Sequence, residues 1–146
     1  MKVALLIADA SRSGGPQHVL NLATGLTALG VEVTIIMPTG PVSQLMAEKD
    51  LTVQSLAFRG KFDLLALKRL RAMLKAGQFD LLHSHGVRGG LYGRLAGKGL
   101  LPVVYTEHLW TKEYHLRHRL NETVQLDVLR YLDRFTAHTV AVSQAV

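Results

Sequence analysis

The sequence predicts an α/β protein, a doubly wound, mostly parallel sheet with helices on both faces. Short apolar runs rich in Val and Ile recur along the chain, as in strands buried from both sides. They alternate with longer segments of helical periodicity. Strands joined through helices force a parallel sheet with right-handed crossovers, so the domain is expected to be Rossmann-like. The 146 residues, 48% hydrophobic and 19% charged, are enough for one domain with its own core.

The first strand is placed at residues 2–8. Its apolar run stops at Asp9, short of the roughly 7 to 15 residues of a secretory core, so it reads as a buried strand. The first helix, 16–29, puts Val19, Leu22, Ala23, Leu26 and Leu29 on one face, with Pro16 in its first turn and Gly30 as its stop. Strands follow at 32–37 and 52–57, with a short helix near 43–49 between them. The remaining order is helix 62–76, strand 80–84, helix 88–98, strand 102–107, helix 122–135 and strand 138–142. No stretch approaches the roughly 18 apolar residues of a membrane span. The chain ends at Val140-Ala141-Val142-Ser143-Gln144-Ala145-Val146, where another helix is expected to begin.

A formal charge of +6 calls for anionic partners such as sugar nucleotides, phospholipid surfaces or nucleic acid. With only 6% aromatic residues and no RNA-binding signature, nucleic acid is set aside. The absence of cysteine excludes a disulfide framework and any cysteine zinc site, and it fits a reducing compartment.

Ligands of doubly wound sheets bind beyond the carboxyl ends of the strands, so the residues directly after each strand carry the functional signal. The first such segment is Asp9-Ala10-Ser11-Arg12-Ser13-Gly14-Gly15-Pro16. Its paired glycines let the backbone approach a ligand, and the helix N-terminus that follows offers open N–H groups to a phosphate. The alternative is a tight turn without a ligand. The segment is not a G-x-G-x-x-G loop and lacks the lysine of a P-loop. Later segments are Asp80-Leu81-Leu82-His83-Ser84-His85-Gly86 and Pro102-Val103-Val104-Tyr105-Thr106-Glu107-His108. In an extended strand His83 and His85 share a face. One reading joins them to Glu107 and His108 around zinc, giving a metal-dependent hydrolase. The other makes His83 inward and hydrogen-bonded and turns His85 toward a cleft. His108, ending its strand beside Glu107, is the stronger candidate for a reacting group.

Taken in order, these landmarks resemble glycosyltransferase family 4. Gly14-Gly15, Val19-Leu20-Asn21-Leu22-Ala23, Leu29-Gly30 and Glu32-Val33-Thr34-Ile35 are similar to the family's opening, and the D-L-L-H-S-H, P-V-V-Y-T-E-H and terminal A-V-S segments to its next three landmarks. Pro16-Gln17 stands where the family often has Glu or Arg after the glycines, and Gly30-Val31 where it has Gly-His. The resemblance implies the N-terminal, acceptor-side half of a GT-B fold, with a separate C-terminal donor-binding domain outside residues 1–146. It implies retaining, hexosyl-type transfer from a nucleotide-sugar donor to a glycan or lipid-linked acceptor, with no cofactor and no metal. By the same resemblance Gly14 and Gly15 approach the donor phosphates and His108 stands at the reacting centre. Arg12, Ser13, His85, Arg88 and Glu107 are expected to contact the acceptor. The isolated chain is expected to be inactive.

Residues 61–75 carry Lys61, Lys68, Arg69, Arg71 and Lys75 against Asp63 alone, on a helix with apolar Phe62, Leu65, Leu70 and Met73. Such a helix either covers the sheet or rests on an anionic membrane, which would place the protein in the cytoplasm and peripherally at the inner face of the cell membrane. A second basic group, Lys112, His115, Arg117, His118 and Arg119, follows His108. A phosphate-binding module without catalysis is the other functional class these residues allow.

Overall fold

The computed structural model describes residues 1–59, 62–108, 127–128 and 130–142. Its elements are β1 (Lys2–Ile7), α1 (Gly14–Ala28), β2 (Glu32–Met37), α2 (Pro41–Glu48), β3 (Thr52–Ser55), α3 (Leu64–Gly77), β4 (Leu81–His85), α4 (Gly86–Gly97), β5 (Val103–Glu107) and β6 (His138–Ala141). The six strands form one sheet in the order β3-β2-β1-β4-β5-β6. Every strand pair is parallel, so the sheet is wholly rather than mostly parallel. Of the helix expected at 122–135, residues 127–128 and 130–133 are helical. The second basic group lies outside the described residues.

Alternation along the strands divides the core in two. Val3, Leu5 and Ile7 of β1 and Val33, Ile35 and Met37 of β2 pack with Val19, Leu20 and Ala23 of α1 and with Val42 and Met46 of α2. Ala4, Leu6 and Ile36 face the other way, onto Ala66, Leu70 and Leu74 of α3 and Tyr92 and Ala96 of α4. Both faces of the sheet are thereby covered.

Three helices begin earlier than their periodicity suggests, α2 among them at Pro41 rather than 43. Helix α1 starts at Gly14 rather than Pro16, and α4 at Gly86 rather than Arg88. At the second junction Gly86 takes φ +67, a left-handed conformation open to glycine, so the chain passes from strand to helix with no intervening loop. Strand β4 accordingly runs on to His85, one residue past its expected end.

Helix α4 presses a glycine face onto the sheet. A Cβ added at Gly93 would stand 2.7 Å from Ser84 Cβ and 3.2 Å from Leu6 Cδ2, and one at Gly97 would stand 2.5 Å from Val103 Cγ2. A Cβ at Gly90 would collide with the Tyr105 ring, and at Gly89 the nearest atom is the Leu6 carbonyl oxygen at 3.3 Å. Glycine costs a helix about 1 kcal/mol per residue relative to alanine, so these positions give up helix propensity for closeness to β1, β4 and β5. At the other end of α4, Arg71 of α3 donates through Nη1 to the carbonyls of Ala96 and Lys98, at 2.7 and 2.9 Å. That bond fastens the two helices together, and it takes Arg71 out of the free basic surface of α3.

Candidate functional site

The strand order reverses between β1 and β4, and the helices that follow these two strands lie on opposite faces. A cleft of about 1010 Å³ opens there, at the carboxyl edge of the sheet. Its walls come from the ends of β1, β4 and β5 and the residues that follow them: Ala8 and Asp9, Gly86 to Gly89, and Glu107 with His108. Ser13, Gly14, Gly15, Pro16 and His18 line it from the first turns of α1.

Two helices therefore point their N-termini into one cleft. Neither has a capping side-chain hydrogen bond or an acidic residue in its first turn. Ser13 stands at the cap position of α1, yet its hydroxyl donates to Asp9 Oδ2 at 2.7 Å. The same carboxylate accepts from the Ser11 amide and hydroxyl, each at 2.9 Å. Burial pushes the Asp9 carboxyl up, and these hydrogen bonds outweigh it, leaving its pKa below the ordinary value. The effect is to fix the glycine loop through Asp9 and leave the first N–H groups of α1 turned toward the cleft, where helix ends attract anions.

The histidines assemble by strand parity. In β4, His83 and His85 alternate with Leu82 and Ser84, and in β5 the positions Val104, Thr106 and His108 fall on the same side of the sheet as α1. His83 and His85 have ring centroids 4.1 Å apart. His85 Nδ1 lies 3.3 Å from His108 Nε2, and His83 Nε2 lies 2.7 Å from Thr106 Oγ1. The expected division of labour between the strand histidines is reversed in burial. His85 is only 1% exposed while His83 is half-buried. The cause is position in the sheet: His85 sits between Ile7 of β1 and Thr106 of β5, at the floor of the cleft, which His83 does not line. Desolvation, with the neighbouring imidazoles, drives the His85 pKa far below its ordinary value, and His83 falls to about 4 for the same reasons. Desolvation also lowers His108. His83, His85 and His108 are thus neutral rings near pH 7.

His108 is held from below. Its backbone N–H donates to Glu107 Oε1 at 3.0 Å, and Glu107 Oε2 accepts from the Tyr105 hydroxyl. The Tyr105 ring carries the Arg94 guanidinium 4.2 Å from its centroid. Arg94, 1% exposed, donates from Nε to the Gly90 carbonyl and pairs with Asp133. Burial and the Glu107 bond raise the Tyr105 pKa, so its hydroxyl keeps its proton.

Of the residues singled out from the sequence, Ser13, Gly14, Gly15, His85, Arg88, Glu107 and His108 meet in this cleft. Arg12 is exposed and does not line it. Asp9 opens the first segment singled out from the sequence but was given no role there, although it lines the cleft. Sequence reasoning passed over His18, one turn into α1, whose ring centroid is 5.0 Å from that of His108. The support from Arg94 and Tyr105 needs the tertiary packing to be seen. Among the described residues the one group placed to hold a metal is His18, His85 and His108, so His83, which the zinc reading required, is replaced by His18.

Residues 12–146 match the family model for Glycosyltransferase Family 4. No curated protein of matching sequence was found. Among solved structures the chain is similar to HepE from Anabaena in complex with UDP-glucose, with 17% identity and a TM-score of 0.78, over 99% of this chain and 38% of that one. It is also similar to MurG from Acinetobacter baumannii, at 16% identity and a TM-score of 0.71, over 99% and 42%. A UDP-GlcNAc 2-epimerase from Methanocaldococcus jannaschii aligns at 14% identity and a TM-score of 0.65, over 99% and 40%. The chain thus spans about two fifths of the length of these proteins and has the fold of one half of a GT-B structure.

Proposed function

Because this chain belongs to Glycosyltransferase Family 4, we propose that it forms the acceptor-side wall of an enzyme that transfers a sugar from a nucleotide-sugar donor. The observation that carries the reading is the convergence of two uncapped helix N-termini on one cleft beside His108. When the bond from the anomeric carbon to the diphosphate breaks, negative charge grows on the departing phosphate. Oriented N–H groups at Gly14, Gly15 and the start of α4 stabilise charge at that place. His108, neutral and half-buried, contacts the reacting sugar or the acceptor. Ser13, His85, Arg88 and Glu107 serve the acceptor, and Asp9 adds a carboxylate able to accept from its hydroxyls. A donor-binding domain supplies the opposite wall and closes the cleft, so the 146-residue chain alone is expected to show no steady transfer. Retention of configuration, a hexosyl group and an envelope-glycan or lipid-linked acceptor belong to the same proposal, on family membership.

The phosphate site is tested on the chain itself. UDP titrated into it should shift the backbone amide resonances of Gly14, Gly15 and Gly86. No atom lies within 4 Å of a Cβ at Gly14, so Gly14→Ala should leave the titration unchanged. Gly14→Asp puts its Cβ in the same open space and a negative charge on the site, and it should weaken UDP binding tenfold or more, by roughly 1.4 kcal/mol. Equal affinity in Gly14→Asp, or shifts confined to other parts of the chain, would sink the phosphate assignment.

We also propose that α3 rests on the anionic inner face of the cell membrane. Its outer surface exposes Leu64 and Leu65 with Lys68, Arg69 and Lys75, Phe62 stands 84% exposed just before it, and Leu64–Gly77 contains no acidic residue. No helix among the described residues is long and apolar enough to cross a membrane. Basic residues at such a surface contribute about 1 kcal/mol each. Reversing Lys68, Arg69 and Lys75 to Glu should abolish cosedimentation with phosphatidylglycerol vesicles at low salt, and undiminished binding would eliminate the idea.

A further inference from the structure

We propose that His18, His85 and His108 form a binding site for one divalent cation of the zinc class. The three donor nitrogens lie within 4.8 Å of one another. A tetrahedral ion with metal–nitrogen bonds of about 2.0–2.1 Å holds two ligand nitrogens about 3.3 Å apart and the centroids of their rings about 5.2 Å apart. His85 Nδ1 and His108 Nε2 are 3.3 Å apart. The ring centroids of the three residues are separated by 5.0, 5.5 and 5.6 Å, a nearly equilateral triangle of the required size. The widest donor separation exceeds the tetrahedral span by roughly 1.5 Å, which a side-chain rotation closes.

A second observation is independent of this triangle. His85 is 1% exposed, yet its Nε2 has no hydrogen-bond partner. Leaving a buried polar atom unpaired costs about 1–3 kcal/mol, and a fold keeps such a group where function calls for it. The nitrogen that faces His108 and serves as the ligand is Nδ1, so Nε2 keeps the ring proton, and its lack of a partner marks His85 as costly to bury on the cleft floor.

Three neutral nitrogen donors select Zn²⁺, Ni²⁺ or Cu²⁺ over Mg²⁺ or Ca²⁺, which take oxygen ligands. The nearest carboxylates are otherwise engaged, Glu107 with Tyr105 and the His108 amide, and Asp9 with Ser11 and Ser13. The fourth coordination position opens to the cleft. An ion there occupies the ring nitrogen of His108 and blocks its contact with substrate, so the metal acts as an inhibitor. That consequence rests on the glycosyl-transfer reading, whereas the site itself does not.

The experiment uses the purified chain stripped of metal with EDTA and measures binding of Zn²⁺ by calorimetry and of Co²⁺ by visible absorption, with no nucleotide present. The expected result is one ion per chain at micromolar or tighter affinity and the intense bands of four-coordinate Co²⁺. His18→Ala and His108→Ala should each weaken Zn²⁺ on the order of a hundredfold, and His83→Gln should not change it. His18 lies on a helix surface, so its variant decides the matter should His108→Ala fail to fold. Failure to bind Zn²⁺ below about 1 mM, a six-coordinate Co²⁺ spectrum, or full binding by His18→Ala would overturn the proposal. Loss of binding in His83→Gln to the same degree as in His18→Ala would overturn this choice of ligands.

Discussion

Replacing His108 with alanine is expected to reduce glycosyl transfer a hundredfold or more in the enzyme joined to its donor-binding domain, with only a small change in melting temperature. Strand β5 ends at Glu107, so the His108 side chain stands at the lip of the sheet over the cleft and covers little of either core. Its removal takes away a polar contact to a centre whose charge changes during reaction, and one such contact is worth about 2.7–4 kcal/mol of barrier. His83→Ala is the comparison. That ring lies on the same side of the sheet, bonds Thr106 and does not line the cleft, so its loss should lower the melting temperature and leave turnover largely intact. The two variants are compared by kcat and by thermal unfolding. Near-normal turnover in His108→Ala, or a loss of transfer confined to His83→Ala, would reverse the roles given to these residues.

Gly93→Val is expected to destabilise the fold by about 3 kcal/mol or more, a large share of the roughly 5–15 kcal/mol that holds a domain together. Even a methyl group at Gly93 would stand 2.7 Å from Ser84 Cβ, and Ser84 and Leu6 are both fully buried on strands that cannot retreat. A branched side chain must lift α4 from β1 and β4, and it should open the cleft wall that begins at Gly86. Gly25→Ala gives the opposite sign. Its Cβ meets nothing within 4 Å in the interior of α1, so it should stabilise by about 0.5–1 kcal/mol through helix propensity alone. Denaturant unfolding of both variants checks the pair, and a Gly93→Val protein as stable as the parent would show that α4 is not clamped to the sheet.

The contrast between these glycines marks where the sequence stops being legible. A parallel sheet with its ligand site at the carboxyl ends of the strands follows from βα alternation, whereas the strand order that sets the cleft between β1 and β4 is seen only in the structure. The residues after β1, β4 and β5 can be named from the alternation. The start of α4 cannot, because a helix with glycine at 86, 89, 90, 93 and 97 reads as a weak one until the sheet beneath it is seen. Which strand histidine is buried is likewise a matter of neighbours: parity puts His83 and His85 on one face, but only the pairing with β1 and β5 places His85 on the floor. His18 was missed because helical periodicity weighs apolar residues, and its role depends on a tertiary approach that brings its ring within 5.6 Å of His85 and 5.0 Å of His108. Arg71 shows the reverse error. Its charge suggests a lipid-facing residue, whereas its guanidinium is fastened to the carbonyls of Ala96 and Lys98.

The Asp9 carboxylate gathers the Ser11 amide and the Ser11 and Ser13 hydroxyls, so the loop into α1 is already set in shape before any ligand arrives. A glycine loop left slack would have to be ordered at the moment of capture, at roughly 1–2 kcal/mol of backbone entropy for each residue fixed. Here that ordering is completed during folding. At the proposed phosphate site selectivity would then come from rejection as much as from attraction: a phosphate that strays from the helix end toward the loop would meet the negative charge of Asp9, which its three hydrogen bonds do not cancel. The loop is thus a template whose shape is set by its own side chains, before and independently of an anion.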